Sequence, residues 1–252
     1  MRIAAYQAPL LALGSMEGLK LIGEQVRACE SIGVEILCCP EAVLGGLADY
    51  IRRPSDIAID VSSGRLQSVL SPISSPTVTT IVGFTESCRN GGLFNSAAVF
   101  CKGEVIGVYR KLHPAINRSV YEPGTATSIF RVGGLIFGVV ICRDSTYPAP
   151  AQIMASQGAT VLFVPTNNAL APAKAGVEAV EQARHTDIRR AREHRIGHPG
   201  RRRRTGRRIV VLRIVWNGRP GRHCPAGCQT TGAGPPYSGC SGQFGSCRQE
   251  SV

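Results

Sequence analysis

The chain has 252 residues, 43% of them hydrophobic and 18% charged, an ordinary globular balance with room for one large α/β domain or two small ones. No apolar run long enough to cross a bilayer occurs, so a membrane-spanning helix is not expected. The net charge of +12 points to no polyanion-binding surface, because residues 1–182 hold 14 Lys+Arg and 14 Asp+Glu, and the whole excess falls in residues 183–252, where all 15 bases are arginine.

Met1 to Gln7 alternates like a first strand and lacks the apolar core of a signal peptide, so a cytoplasmic location is expected. After a turn at Gly14-Ser15, Leu19, Ile22, Val26, Cys29 and Ile32 recur at helical spacing, with Gly33 where a C-cap would fall. Val34 to Pro40 is short and apolar enough for a buried strand. Thr77–Gly83 and Ser96–Phe100 read as strands around an Arg89-Asn90-Gly91-Gly92 turn, and Glu104–Tyr109 follows as another. Phe130–Val132 and Leu135–Ile141 flank Gly133-Gly134 as a hairpin. Ala149–Gln157 and Lys174–Arg195 have helical character, with a strand at Thr160–Val164 between them. This order predicts a mixed α/β sheet covered by helices.

Three strand ends carry the chemistry. Cys142 closes the apolar run Gly138-Val139-Val140-Ile141, where an α/β sheet opens its ligand crevice. Glu41 follows a buried strand in Pro40-Glu41-Ala42-Val43-Leu44-Gly45-Gly46, and Lys111 follows another in Tyr109-Arg110-Lys111-Leu112-His113-Pro114. Taken singly, an apolar cysteine is usually structural, and an acid or a lysine at a strand end is usually solvated or ion-paired. As a set they supply a thiol, a base and a cation, the parts needed to attack the carbon of a C–N bond.

The motifs P-E-x-x-L-G-G, Y-R-K-L-H-P and G-V-V-I-C-R-D, in this order and at these separations, resemble the nitrilase superfamily of carbon–nitrogen hydrolases. Met1–Gln7 fits that family's first strand, and Val164-Pro165-Thr166-Asn167-Asn168 fits the strand end after its nucleophile. The resemblance spans nearly all of residues 1–195. It implies a four-layer αββα sandwich, a homodimer, and hydrolysis of a small amide, N-carbamoyl compound or nitrile without metal or organic cofactor. Carried over by position, Glu41 is the general base and Cys142 the nucleophile. Lys111 and the backbone N–H of Arg143 hold the oxyanion, and Asn167 and Asn168 face the substrate. The family's second glutamate is missing: counting back from the Glu122-Pro123-Gly124 turn, its place falls near Asn117, which could orient substrate but not exchange protons. Asp144 is expected to fix the loop after the nucleophile, and His113 to be a structural loop residue.

Composition breaks near residue 196, dividing an incomplete hydrolase domain (1–196) from an Arg/Gly/Pro/Cys-rich tail (197–252). Back-translated and read one base later, Gly197–Arg204 can become V-I-R-A-D-V-A-G, Val211–Trp216 S-Y-G-S-S-G, and Asn217–Pro225 M-V-D-P-A-G-T-V-L. That is the family's G-x-S-x-I/V-x-D-P-x-G pattern, expected at this place. Residues 197–252 therefore read as an out-of-frame translation, expected to lack a stable core and to leave a sheet without its closing strands. Two rivals use the same residues: a nucleic-acid-binding run at Arg201–Arg204 with Arg207-Arg208, and a zinc site from His223, Cys224, Cys228, Cys240 and Cys247. The frame shift accounts for both, so neither nucleic acid nor metal is an expected partner. A third reading keeps the fold and makes the chain an inactive pseudoenzyme.

Overall fold

A computed structural model describes residues 1–9 and 11–167, and residues 210–216 as backbone. One sheet runs in the order β1 (Ile3–Ala5), β2 (Ile36–Cys38), β4 (Thr79–Ser87), β5 (Leu93–Cys101), β6 (Glu104–Arg110), with β3 (Ile59–Asp60) also paired to β4. The other runs β10 (Val210–Trp216), β9 (Val161–Asn167), β8 (Leu135–Val139), β7 (Ile129–Val132).

Alternation along the first sheet divides its side chains between two cores. Leu37, Val82, Ala98 and Phe100 point outward, onto Ile22, Val26 and Cys29 of α1 (Glu17–Ser31) and Leu66 and Leu70 of α2 (Arg65–Leu70). Their neighbours Ile36, Cys38, Ile81, Ala97 and Val99 point inward, with Tyr109, onto Phe130, Phe137, Val139 and Phe163 of the second sheet. Phe137 centres this inner core, 5.6 Å from the Phe130 ring and edge-on to Phe163 at 5.2 Å. Met154 of α3 (Pro148–Ser156) belongs to the same core and lies against Gly138, where any Cβ would collide with it. Helix, sheet, sheet, helix is the expected αββα layering.

The predicted elements recur with shifted ends. The Arg89–Gly92 turn joins β4 to β5 antiparallel, and Gly133 (φ +55) turns the β7–β8 hairpin. Two elements without a clear sequence signal, β3 and α2, fill the stretch between β2 and β4. The predicted helix at 174–195 lies outside the described residues.

One expectation about the tail changes. Val210–Trp216 pairs in parallel with β9 along its whole length, from Val210↔Val161 to Trp216↔Asn167, so that edge is not left open. The run Val-Val-Leu-Arg-Ile-Val-Trp is rich in β-branched residues, and an uncovered strand edge pairs the backbone groups on one side of such a run. Among the described residues no helix is long and apolar enough to cross a membrane.

Candidate active site

The ends of β2, β5, β6, β8 and β9 converge on one cavity of about 180 Å³, lined by Glu41, Asn95, Lys111, Cys142 and Asn167 together with Leu47, Asp49, Tyr50, Pro114, Ala115, Ile116 and Tyr121. Three residues far apart in sequence, Glu41, Lys111 and Cys142, therefore share one space.

Glu41 is only 2% exposed, yet both of its carboxylate oxygens are engaged. Oε1 accepts from Lys111 Nζ at 2.6 Å and from Asn95 Nδ2 at 2.8 Å, and Oε2 accepts from the Asn167 backbone N–H at 2.8 Å. A buried carboxylate held by three donors has a fixed orientation and a compensated charge. Its position is also fixed from behind. Gly83 of β4 faces the Pro40–Ala42 backbone, and a Cβ there would stand 2.6 Å from the Pro40 carbonyl oxygen and nearer still to the Ala42 nitrogen. Gly83→Ala is expected to cost about 1–3 kcal/mol through overpacking. It should also lower any Glu41-dependent activity more than stability alone explains, as urea denaturation and an assay on the still-folded protein would show.

Lys111 leaves the end of β6 with its N–H on the Asn95 carbonyl at 2.8 Å. Burial pulls its ammonium toward neutrality, but Glu41, with Cys142 and Asp144 behind it, more than offsets this, and the net shift is upward. A raised lysine pKa contributes stability that is fully present below the unfolded value of about 10.4 and lost as pH rises through the higher folded value. Lys111 is therefore a cation, not a base, near neutrality. In wild type, stability should show an alkaline decline above the ordinary lysine range that is shallower when Lys111 and Glu41 are both replaced by neutral residues, the Tyr6, Tyr109 and Tyr121 hydroxyls, also pushed up by burial, supplying the rest, as denaturant titrations across that range would reveal.

Cys142 follows β8 by three residues, and its backbone lies in the left-handed region at φ +46. For a residue with a Cβ this conformation costs on the order of 1–2 kcal/mol and persists only when the surroundings impose it. Asp144 supplies the restraint. It is 0% exposed and accepts from the Ile141 N–H (3.3 Å), Tyr109 Oη (2.7 Å) and the His113 N–H (2.8 Å). The His113 ring adds Nδ1 at 3.0 Å and stacks on Tyr147, with centroids 3.7 Å apart. Burial pushes the Asp144 carboxyl above the usual range, although Tyr109, His113 and Lys111 all oppose that shift. Asp144 thus ties the end of the Lys111 strand to the loop at Cys142, and His113 is part of that tie. Ala42, next to Glu41, also has a positive φ, of +49, so strained backbone occurs both beside Glu41 and at Cys142.

The other predicted positions divide. Asn167 lines the cavity and gives its backbone N–H to Glu41. Asn117 is exposed and outside the lining, where the same loop presents Pro114, Ala115 and Ile116 instead. The exposed Arg143 side chain donates to the carbonyls of Ala115 (2.7 Å) and Pro114 (3.3 Å), clamping that loop to the one after Cys142. Asn168 lies outside the described residues. Sequence reasoning passed over Asn95, the side-chain donor to Glu41. Its signal was a polar Asn95-Ser96 step inside an otherwise apolar strand, where a buried amide needs a partner.

Known proteins resemble this chain in sequence and in fold. A glutamine-dependent NAD(+) synthetase from Thermotoga maritima is 31% identical over 163 residues, 60% of this chain and 27% of that protein. A nitrilase from Pyrococcus abyssi is 28% identical over 166 residues, 64% of this chain and 63% of the relative. The chain thus spans less than two thirds of the length of either. An amidase from Nesterenkonia sp. superposes with a TM-score of 0.58 at 19% identity, over 86% of this chain and 76% of the amidase, and shares the fold. Residues 2–189 match the family model for carbon–nitrogen hydrolases, and with that the chain belongs to the carbon–nitrogen hydrolase family, within the nitrilase superfamily.

Proposed function

We propose that the chain hydrolyses a non-peptide C–N bond through a covalent intermediate on Cys142, with a small amide as the first choice of substrate over an N-carbamoyl compound or a nitrile. The observation that carries this reading is the buried Glu41–Lys111 pair sharing a cavity with a thiol held at positive φ. Glu41 takes the thiol proton as Cys142 Sγ bonds to the amide carbon. Lys111 Nζ has two protons beyond the one given to Glu41, and with the Arg143 backbone N–H it stabilises the oxyanion. Glu41 then passes its proton to the departing nitrogen, the C–N bond breaks, and a thioester remains. Water, deprotonated by Glu41, attacks the thioester and releases the acid and the thiol. No step draws on a metal or organic cofactor, and a reducing, cytoplasmic setting would keep the thiol available.

Ammonia release from short aliphatic amides, N-carbamoyl amines and nitriles tests the reading. Glu41→Gln keeps an acceptor for Lys111 but cannot carry a proton, and is expected to lower turnover by at least about a hundredfold. Turnover at the parental rate would remove Glu41 from the mechanism.

The domain division at residue 196 and the frame shift belong to the same proposal, as does the homodimer, for which sedimentation of the full chain is the check. Resequencing the coding DNA across Ile196–Gly197 tests the shift: two further bases would restore the family pattern. A gene that encodes the tail as it stands would favour the pseudoenzyme reading, which the exposed position of Asn117, outside the cavity lining, also favours.

A further inference from the structure

The cavity holds one charged group that the proposed chemistry does not use. Among its lining residues, Glu41 and Lys111 neutralise each other at 2.6 Å, which leaves Asp49 as the remaining charge. Asp49 sits in a short 3-10 turn (Ala48–Tyr50) held from below by the Tyr121 hydroxyl, which accepts from the Ala48 N–H at 2.7 Å. Its Oδ1 accepts from Ser119 Oγ and the Val120 N–H, both at 2.9 Å, fastening the turn to the loop that leads into Tyr121. No described residue donates to Oδ2, and no described cation pairs with Asp49. A carboxylate with one oxygen committed and the other open is oriented before a ligand arrives, which lowers the cost of binding. Beside it, Tyr50 lines the same cavity and is 55% exposed, offering a ring to a cation.

From this juxtaposition of Asp49 and Tyr50 with the nucleophile we infer that the substrate class is cationic: a small amide or related C–N compound with a protonated amine away from the scissile bond. The inference rests on the proposed Cys142 chemistry and narrows its substrate. Asp49 is a specificity residue. Its open oxygen receives the ammonium while the carbonyl carbon lies at Cys142. A volume of about 180 Å³ admits a short aliphatic chain between the two.

The test uses the full chain and two chloroacetamides that differ only at the end of a short alkyl tail, one bearing an ammonium and the other a methyl group. Each reacts by displacement: the Cys142 sulfur forms a C–S bond, the C–Cl bond breaks, and chloride leaves. Rates at Cys142 are read by peptide mass mapping and divided by the rates with glutathione, which removes intrinsic reactivity. The ammonium probe is expected to react at least about tenfold faster than the methyl probe, with the advantage shrinking as salt is raised. Asp49→Asn keeps an acceptor for Ser119 and Val120, and it should bring the ratio of the two probes close to one. A ratio near or below one in the parent chain, or a preference that survives in Asp49→Asn, overturns the inference. Failure of the underlying chemistry looks different: Cys142 would then react no faster than glutathione with the methyl probe, whatever the ratio between probes.

Discussion

Cys142→Ala is expected to abolish turnover altogether, with loss of at least about three orders of magnitude in kcat and little change in folding. The side chain is partly exposed to the cavity and makes only peripheral contact with the inner core, so truncation to alanine removes the nucleophile with little packing. Nothing else in the described lining can replace it. Lys111 is held as a cation, Tyr121 is pushed up to about 12 by burial, and Glu41 is committed to three donors. Ammonia release by the variant, compared with parent at equal folded concentration, is the measurement. Hydrolysis at the parental level would end the assignment of Cys142.

Lys111→Met is expected to destabilise the fold by about 3–5 kcal/mol, because it strands Glu41 as a buried carboxylate without its counter-ion. Side-chain exposures of 3% for Lys111 and 1% for Glu41 leave little solvent to compensate, and the Asn95 and Asn167 donors that remain carry no charge. Replacing both partners by neutral residues of similar shape should recover most of that loss, since the cost lies in the unpaired charge rather than in the missing attraction. Urea midpoints of the two single variants and the double variant close the cycle. Additive losses, with the double variant destabilised by as much as the two single variants together, would mean that the pair is not coupled.

The strands were legible as short apolar runs bounded by turn residues, though their ends were not. Alternation put Ile36 and Cys38 on one face and Leu37 and Cys39 on the other, and the residues that follow such strands had to emerge at the sheet edge. Glu41, Lys111 and Cys142 were readable on those terms, and the motif resemblance joined them. Loop positions were not. Counting back from Glu122-Pro123-Gly124 reached Asn117, but Arg118 takes a φ of +58, and a non-glycine residue in that region redirects the chain in a way no count of residues captures. Asp49 went unnoticed for the same reason: a three-residue 3-10 turn has no period to detect. The strand Val210–Trp216 shows a different gap. Its β-branched composition suits a strand, but whether it is used depends on a free edge at β9 about fifty residues earlier, which is tertiary information.

The most direct test of the central claim is to look for the acyl group itself. The full chain, incubated with a short aliphatic amide and quenched in acid, should gain the mass of the amide less ammonia. That mass should map to the peptide containing Cys142, disappear with hydroxylamine, and be absent in Cys142→Ala. An acyl group found on another residue, or ammonia released with no thioester on the path, would contradict the mechanism. A chain that neither releases ammonia nor gains mass with any such amide, N-carbamoyl compound or nitrile, ammonium-bearing ones included, would contradict the hydrolase reading and favour the pseudoenzyme.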